Sequence, residues 1–286
     1  GITWQGPVEL VETPGAGATS GGLHAGAFPF VTGDGRVHVA WWDQAAASLW
    51  LVDAEGGTLA FGPRRLLHET GSSFSSPGGG IALGVPSVAV GPGPGGEGEW
   101  TYVVWTQEAD GRGFDVFASW SDDHAGTWSP PARVNDDDTA GDPLLPNVAV
   151  SPDGTVGVFF VDRRDDPANV AYHAYLAVSA DGSSFQNVRM TSVASEPARI
   201  QDAIQPVGDY YGVAWGALAG GEPGLQEALQ SFGDRRRGEV DAAAELGKVT
   251  VEAGDVVLIR TGQIKALAAG DKFGFAYPSA GPGLSA

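Results

Sequence analysis

Acidic and basic side chains follow the apolar runs of this 286-residue sequence at recurring places. Asp43 ends one run, Glu108 follows a second, and Asp162 ends a third, directly before Arg163 and Arg164. Carboxyl groups can act as general acids or bases, and arginines bind carboxylates through paired hydrogen bonds. These residue types therefore indicate acid–base or anion-binding chemistry, if the fold brings the positions together.

The elements that must position these side chains recur at a nearly fixed period. Residues 86–90 (PSVAV) return as 146–150 (PNVAV), and weaker copies start at Pro29 and Pro206, so the intervals are 57, 60 and 60 residues. Each of the first three copies is followed by runs that alternate apolar and polar residues, which predicts β-strands. The predicted second strands are 36–43, 100–106 and 155–162, and the predicted third strands are 47–52, 115–120 and 171–178.

Four strands per unit at this period favour an all-β fold, a β-propeller of four-stranded antiparallel blades. The sequence accounts for about four blades, of which the last is incomplete, and a β-sandwich with chance spacing is the alternative. In a propeller, the loops between second and third strands lie at the same end as the loops between blades. The acidic and basic side chains are therefore expected to converge at one end of the ring.

A turn-like stretch, 121–128 (SDDHAGTW), follows the third predicted strand of the second unit. It resembles the Asp box, Ser-x-Asp-x-Gly-x-Thr-Trp, of sialidase-like BNR-repeat propellers through four residues: Ser121, Asp123, Thr127 and Trp128. Ala125 stands where the pattern has glycine, and 179–185 (SADGSSF) resembles a shorter copy. We expect the aspartate to accept backbone N–H bonds within its turn and glycine to take the left-handed conformation. The box is thus predicted to be architectural rather than catalytic.

The resemblance covers about residues 1–217 and implies a propeller that binds, and in its enzymes hydrolyses, glycans as an exo-glycosidase. Sialidases hold the sugar carboxylate with arginines, for which the candidates here are Arg112, Arg163, Arg164 and Arg199. A tyrosine activated by a glutamate attacks the sugar while an aspartic acid protonates the leaving group, and the candidates are Tyr210, Glu108 and either Asp43 or Asp162. The Arg-Ile-Pro segment typical of sialidases is missing from the first unit, so a non-catalytic scaffold or adhesion module is the alternative function.

Two clusters have structural alternatives to a functional role. Arg163 and Arg164 can form an ion-pair network with the neighbouring aspartates Asp162, Asp165 and Asp166. Residues 136–138, three aspartates in a row, fit a solvated acidic loop better than a calcium site, and no other cofactor is predicted.

Composition restricts the partners. The formal net charge of −19 disfavours nucleic acid and anionic membranes, and it repels acidic sugars unless basic residues gather locally. The sequence has no cysteine, no apolar run of membrane-spanning length and no visible signal peptide. The expected partner is a carbohydrate or small-molecule ligand, and an incomplete blade could pair between chains in a homo-oligomer. The family resemblance favours an extracellular or cell-surface location.

The composition changes near residue 217, which divides the chain into predicted domains 1–217 and 218–286. Two short helices, at 224–233 and 238–247, precede strand-like residues 249–262, which predicts a small α+β segment. About 226–286 resembles the metal-dependent cyclases related to kynurenine formamidase, through GDVVLIRTG (254–262) and PGLS (282–285). That family binds its metal through His-x-Gly-Thr-His-x-Asp, and no histidine follows His173, so a hydrolase of this kind is the least favoured function.

Overall fold

The structure is a computed structural model. It describes residues 24–43, 46–56, 60–70, 85–109, 113–195, 199–200, 203–204 and 212–215. The predicted α+β segment at 218–286 lies outside the described residues, as do most of the predicted opening strand at 206–216 and the cyclase-like motifs. Nowhere in the described ranges is there a helix long and apolar enough to cross a membrane.

Three four-stranded antiparallel sheets make up the described chain, each with its strands in sequence order. Blade 1 contains β1 (His24–Val31), β2 (Val37–Asp43), β3 (Ser48–Ala54) and β4 (Arg65–Glu69). Blade 2 contains β5 (Ser87–Pro92), β6 (Glu99–Ala109), β7 (Gly113–Ser121) and β8 (Ala132–Arg133). Blade 3 contains β9 (Pro143–Val150), β10 (Val156–Asp162), β11 (His173–Ser179) and β12 (Gln186–Arg189). Two short strands, β13 (Arg199–Ile200) and β14 (Ala203–Ile204), pair with each other.

This arrangement confirms the all-β propeller prediction, and the ends of the predicted second and third strands agree within three residues. The first strands of adjacent blades contact each other, β1 with β5 and β5 with β9, as they do around a propeller axis. A segment without strand assignment, 212–215, places Trp215 Nε1 at 3.2 Å from the carbonyl oxygen of Ala149 in blade 3. Trp215, near the end of the predicted opening strand of the fourth unit, therefore contacts blade 3.

The blades pack face to face because their middle strands are apolar on both sides. Successive residues of a strand point to opposite faces, so Val103 and Trp105 of β6 pack against blade 1, and Tyr102 and Val104 pack against blade 3. All four of these side chains have 0 % exposure. In β10 all seven residues are buried. Such strands carry charged side chains only near their ends.

The turn at 121–128 satisfies its own backbone. Oδ1 of Asp123 accepts the Thr127 N–H at 2.8 Å and the Ser121 hydroxyl at 2.8 Å, and Oδ2 accepts the Thr127 hydroxyl at 2.7 Å. The prediction of a left-handed glycine is wrong for this turn, since His124 and Ala125 have φ values of 58° and 62°. In the copy at 179–185, Gly182 does take this conformation, with φ 72°.

Contacts from blade 1 hold the same turn in place. Arg65 donates to the carbonyl oxygens of Gly126 at 3.1 Å and Ala125 at 3.3 Å, and it pairs with Asp53 at 2.9 Å. Trp128 packs against the apolar cluster between blades 1 and 2. The turn is thus a contact between blades, which supports its architectural role.

Asp123→Ala should lower the free energy of unfolding by roughly 1–3 kcal/mol, because it leaves turn amides without their acceptor. The Thr127 N–H lowers the pKa of Asp123 to about 2. Because this pKa is lower in the fold than in the unfolded chain, the ionised Asp123 stabilises the fold above the unfolded-chain pKa near 4. This contribution is lost as the pH falls toward 2. Urea denaturation at pH 7 and pH 2.5 should therefore show a larger loss at pH 7.

Asp122→Ala is the matched control, since Asp122 is an exposed aspartate one residue earlier in the chain. Equal destabilisation by both substitutions would contradict the assigned role of the Asp123 carboxylate. Glycan affinity should be unchanged in both variants.

Candidate functional site

The candidate site is the sheet edge at which the second strands end. We call it the strand-end edge: the C-terminal ends of β2, β6 and β10, the loop 134–142 that connects blades 2 and 3, and the loop 163–172 that follows β10. In antiparallel blades the second and fourth strands end on the same side, so these two loops meet. The structure thereby brings together Asp162, Arg164 and the aspartates at 136–138.

Arg164 is the centre of a group that we call the Arg164 cluster: Asp136, Asp137, Asp162, Arg164 and Asn187. Its guanidinium contacts Oδ2 of Asp162 at 2.8 Å, Oδ1 of Asp136 at 2.7 Å and Oδ1 of Asp137 at 3.2 Å. It also donates to the side-chain oxygen of Asn187 at 3.0 Å. With only 10 % of its side chain exposed, Arg164 is held by three carboxylates and an amide.

The ring of Tyr175 lies beneath this cluster. The guanidinium carbon of Arg164 is 4.3 Å from the ring centroid, which is cation–π geometry. The Tyr175 hydroxyl donates to Asp165 at 2.8 Å, and Asp165 lies 3.4 Å from Arg189. The cluster therefore rests on an aromatic surface fixed by a second ion pair.

Burial dominates the electrostatics of Asp162, whose side chain has 0 % exposure. Burial raises the pKa of Asp162 to about 6, although the hydrogen bonds and charge of Arg164 act in the opposite direction. Burial also opposes the charge of Arg164, but its bonds to Asp162 and Asp136 outweigh that effect and raise its pKa above the usual arginine value. Both groups are thus charged and mutually dependent at neutral pH.

Arg163 lies apart from this cluster, because consecutive residues at a strand end point in opposite directions. Its side chain has 0 % exposure, and its Nη1 is 3.9 Å from Oδ2 of Asp142. Burial lowers the pKa of Arg163, while the charge of Asp142 opposes that shift. Asp142 exchanges two hydrogen bonds with Asn169, at 2.7 Å and 2.9 Å, which ties the two loops together.

The remaining sequence candidates are distributed differently. Asp43 is buried, accepts the Ala46 N–H at 3.1 Å and lies 3.7 Å from Arg64. It thus closes its own turn. Asp162 closes its turn in the same way, by accepting the Arg164 N–H at 2.7 Å. Glu108 is exposed near the end of β6. Arg112 and Tyr210 lie outside the described residues, and Arg199 is described only as part of β13. The proposed tyrosine–glutamate pair therefore stays a prediction.

Sequence reasoning missed Asn169 and Asn187. Asn169 has φ 54°, and it follows an Asp-Asp-Pro-Ala turn, a context in which asparagine tolerates the left-handed region. Asn187 exchanges bonds with Asp136 from 51 residues away, at 3.2 Å and 3.3 Å, and nothing in the local sequence signals this pairing.

The aspartates at 136–138 carry oxygen ligands of the kind that calcium prefers. Within the described ranges, no group of three or more histidine, aspartate or glutamate side chains is arranged to hold a metal ion. At 136–138, two carboxylates point to Arg164, and Asp138 lies 3.5 Å from Arg133 with 92 % of its side chain exposed. Arginine thus occupies the position that a cation would take.

Comparison with known proteins gives no family model and no curated protein that matches this chain. Solved structures that are similar include a Hadza microbial sialidase, with 16 % identity and a TM-score of 0.37 over 57 % of this chain and 36 % of that one. The GH93 α-L-arabinofuranosidase of Fusarium graminearum has 12 % identity and a TM-score of 0.43 over 61 % of this chain and 51 % of that one. The α-L-arabinanase of Penicillium chrysogenum has 12 % identity and a TM-score of 0.39 over 71 % of this chain and 52 % of that one.

The chain spans about a third to a half of the length of these three glycosidases. Its class is defined by its own blades, which make it an all-β protein of the propeller type.

Replacement of Arg164 by methionine should cost about 3–5 kcal/mol of stability at pH 8, because it leaves the buried Asp162 carboxylate uncompensated. Because the pKa of Asp162 is higher in the fold than in the unfolded chain, protonation of this residue stabilises the fold. That contribution is complete below the unfolded-chain pKa near 4, and it is lost as the pH rises through about 6. The loss caused by Arg164→Met should therefore be smaller at pH 5. Urea denaturation at both pH values measures it.

The double variant Arg164→Met/Asp162→Asn should recover part of the loss, since the uncompensated charge is then absent. Arg189→Met is the matched control, because its ion pair with Asp165 is half exposed, and it should cost roughly 0–1 kcal/mol. An equal loss of stability in Arg164→Met and Arg189→Met would show that the buried Asp162 carboxylate does not depend on Arg164.

Proposed function

We propose that this chain is a sialidase-like propeller that binds glycans at the strand-end edge and hydrolyses sialosides weakly or not at all. The Arg164 cluster carries the proposal, because it fixes carboxylate and amide groups of two blades at one edge. The side chain of Asp136 is 47 % exposed there, while its partner Arg164 is 10 % exposed. Fixed planar polar groups of this kind can hydrogen-bond adjacent sugar hydroxyls without first being ordered.

Weak hydrolysis follows from the burial of both candidate acids, Asp43 and Asp162, which are 6 % and 0 % exposed. A general acid must come within hydrogen-bond reach of the atom that it protonates. A pKa of about 6 would suit Asp162 for that task, but its side chain is fully covered and both its oxygens are bonded to Arg164. Arg163 is equally covered, with 0 % exposure, so it does not meet a ligand carboxylate at the surface.

Glycan binding by the full chain is tested directly by calorimetry or a glycan array. Asp136→Ala should weaken binding at least tenfold, because it removes the exposed acceptor of the cluster. Asp122→Ala is the control, since it removes one carboxylate from the opposite edge. Failure to bind any glycan, with intact folding, would favour the scaffold or adhesion module instead.

Turnover of a fluorogenic sialoside should be at or near the uncatalysed rate. Robust turnover that is lost when both Arg163 and Tyr210 are replaced would contradict this part of the proposal and favour a sialidase. The comparison needs thermal melting of each variant, so that loss of folding is not mistaken for loss of chemistry.

The composition break supports a further part of the proposal, a domain boundary between 1–217 and 218–286. The stretch WGALAGGEPG (215–224) is rich in glycine at that break, so limited proteolysis should cut there first. Resistance at this stretch, with early cuts inside 85–190, would mean that the two parts form one unit.

A further inference from the structure

Each arginine whose side chain is described at the strand-end edge has a carboxylate partner. Arg163 pairs with Asp142 at 3.9 Å, Arg189 with Asp165 at 3.4 Å, and Arg133 with Asp138 at 3.5 Å. Arg164 has three such partners within 3.2 Å. The other three arginines whose side chains are described pair in the same way.

Carboxylates also outnumber these arginines where a ligand would approach. The loops 134–142 and 163–172 together contain six aspartates, two arginines and no lysine. A ligand carboxylate would compete with the internal carboxylates for these arginines, and it would approach an excess of negative charge. The described arginines therefore do not gather in the way that recognition of an acidic sugar requires.

The same edge suits hydroxyl groups. Carboxylate oxygens only accept hydrogen bonds, and each sugar hydroxyl can donate one. Among the aspartates of loop 134–142 that form ion pairs, Asp136 and Asp138 are the most exposed. Their side chains are 47 % and 92 % exposed. An uncharged polyhydroxyl ligand meets these acceptors without a charge penalty.

We infer that the strand-end edge selects uncharged glycans and rejects those that carry a carboxylate. This inference rests on the proposed function, since it names the ligand class of the same edge. It separates the chain from the specificity that its sequence resemblance implies, because the arginines serve the internal ion pairs instead of the ligand.

The test is an array of matched glycan pairs, in which each neutral oligosaccharide is present with and without a terminal sialic acid or uronic acid. The full chain should bind the neutral member of a pair at least tenfold more tightly at low salt. The preference should shrink in about 0.5 M salt, because ions screen exposed charges. Tighter binding of the acidic members would overturn the inference while leaving the proposed function intact, and no binding to any member would contradict the proposed function itself.

Two charge-matched variants locate the effect. Asp136→Asn and Asp122→Asn change the net charge equally, but only Asp136 belongs to the strand-end edge. Asp136→Asn should reduce the preference for neutral members several-fold, and Asp122→Asn should leave it unchanged. Equal changes in both variants would mean that the overall charge of the protein, rather than this edge, determines selectivity.

Discussion

Burial of both faces of the middle strands is the constraint on which the rest of the structure depends. A strand packed between two neighbouring blades cannot place a charged side chain on either face without a large desolvation cost. In β10, all seven residues are buried, and the charge comes only with the last of them, Asp162. Polar chemistry is thereby displaced to the two edges of the sheets, where the turns are.

Both edges combine local aspartate turns with contacts between blades. Arg65 of blade 1 holds the turn at 121–128, and Asp43 and Asp162 close their own turns at the strand-end edge. At the edge that contains the turns between third and fourth strands, short aspartate turns satisfy their own amides, as Asp123 and Asp181 do. The hairpin turns on that side use the same device, since the Arg36 N–H donates to Asp34 at 3.1 Å and the Thr155 N–H donates to Asp153 at 3.1 Å. At the strand-end edge, partners come from different blades. Asp136 of the connection after blade 2 meets Arg164 and Asn187 of blade 3, so that edge also fixes how the blades are joined.

The sequence predicts the features that depend on neighbouring residues, and it does not predict the contacts between distant residues. Strands and local aspartate turns depend on neighbouring residues, so period-2 runs and Ser-x-Asp spacings located them. At 121–128 the left-handed conformation falls on His124 and Ala125 instead of a glycine. The carbonyl oxygen of Ala125 accepts a bond from Arg65, which is 60 residues away in the chain and which the local pattern does not indicate. The sequence predicts an ion-pair network of Arg163 and Arg164 with their neighbours Asp162, Asp165 and Asp166. Of these three, Asp162 forms an ion pair with Arg164, and the other two ion-pair partners of Arg164, Asp136 and Asp137, come from the preceding loop. Asn187 was missed for the same reason, since its bond to Arg164 joins residues 23 apart in the sequence.

The Arg164 cluster connects stability and recognition through different atoms of one arginine. The contact between Arg164 and Asp162 is buried, so loss of either partner leaves the other charge uncompensated in an apolar environment. The contact between Arg164 and Asp136 lies at the surface, where solvent or a ligand can compete for the carboxylate. An arginine that neutralises a buried aspartate cannot also bind a ligand carboxylate without destabilising the strand end. The same ion pair that neutralises the charged last residue of the otherwise apolar strand β10 therefore removes Arg164 from anion binding and leaves acceptors at the surface.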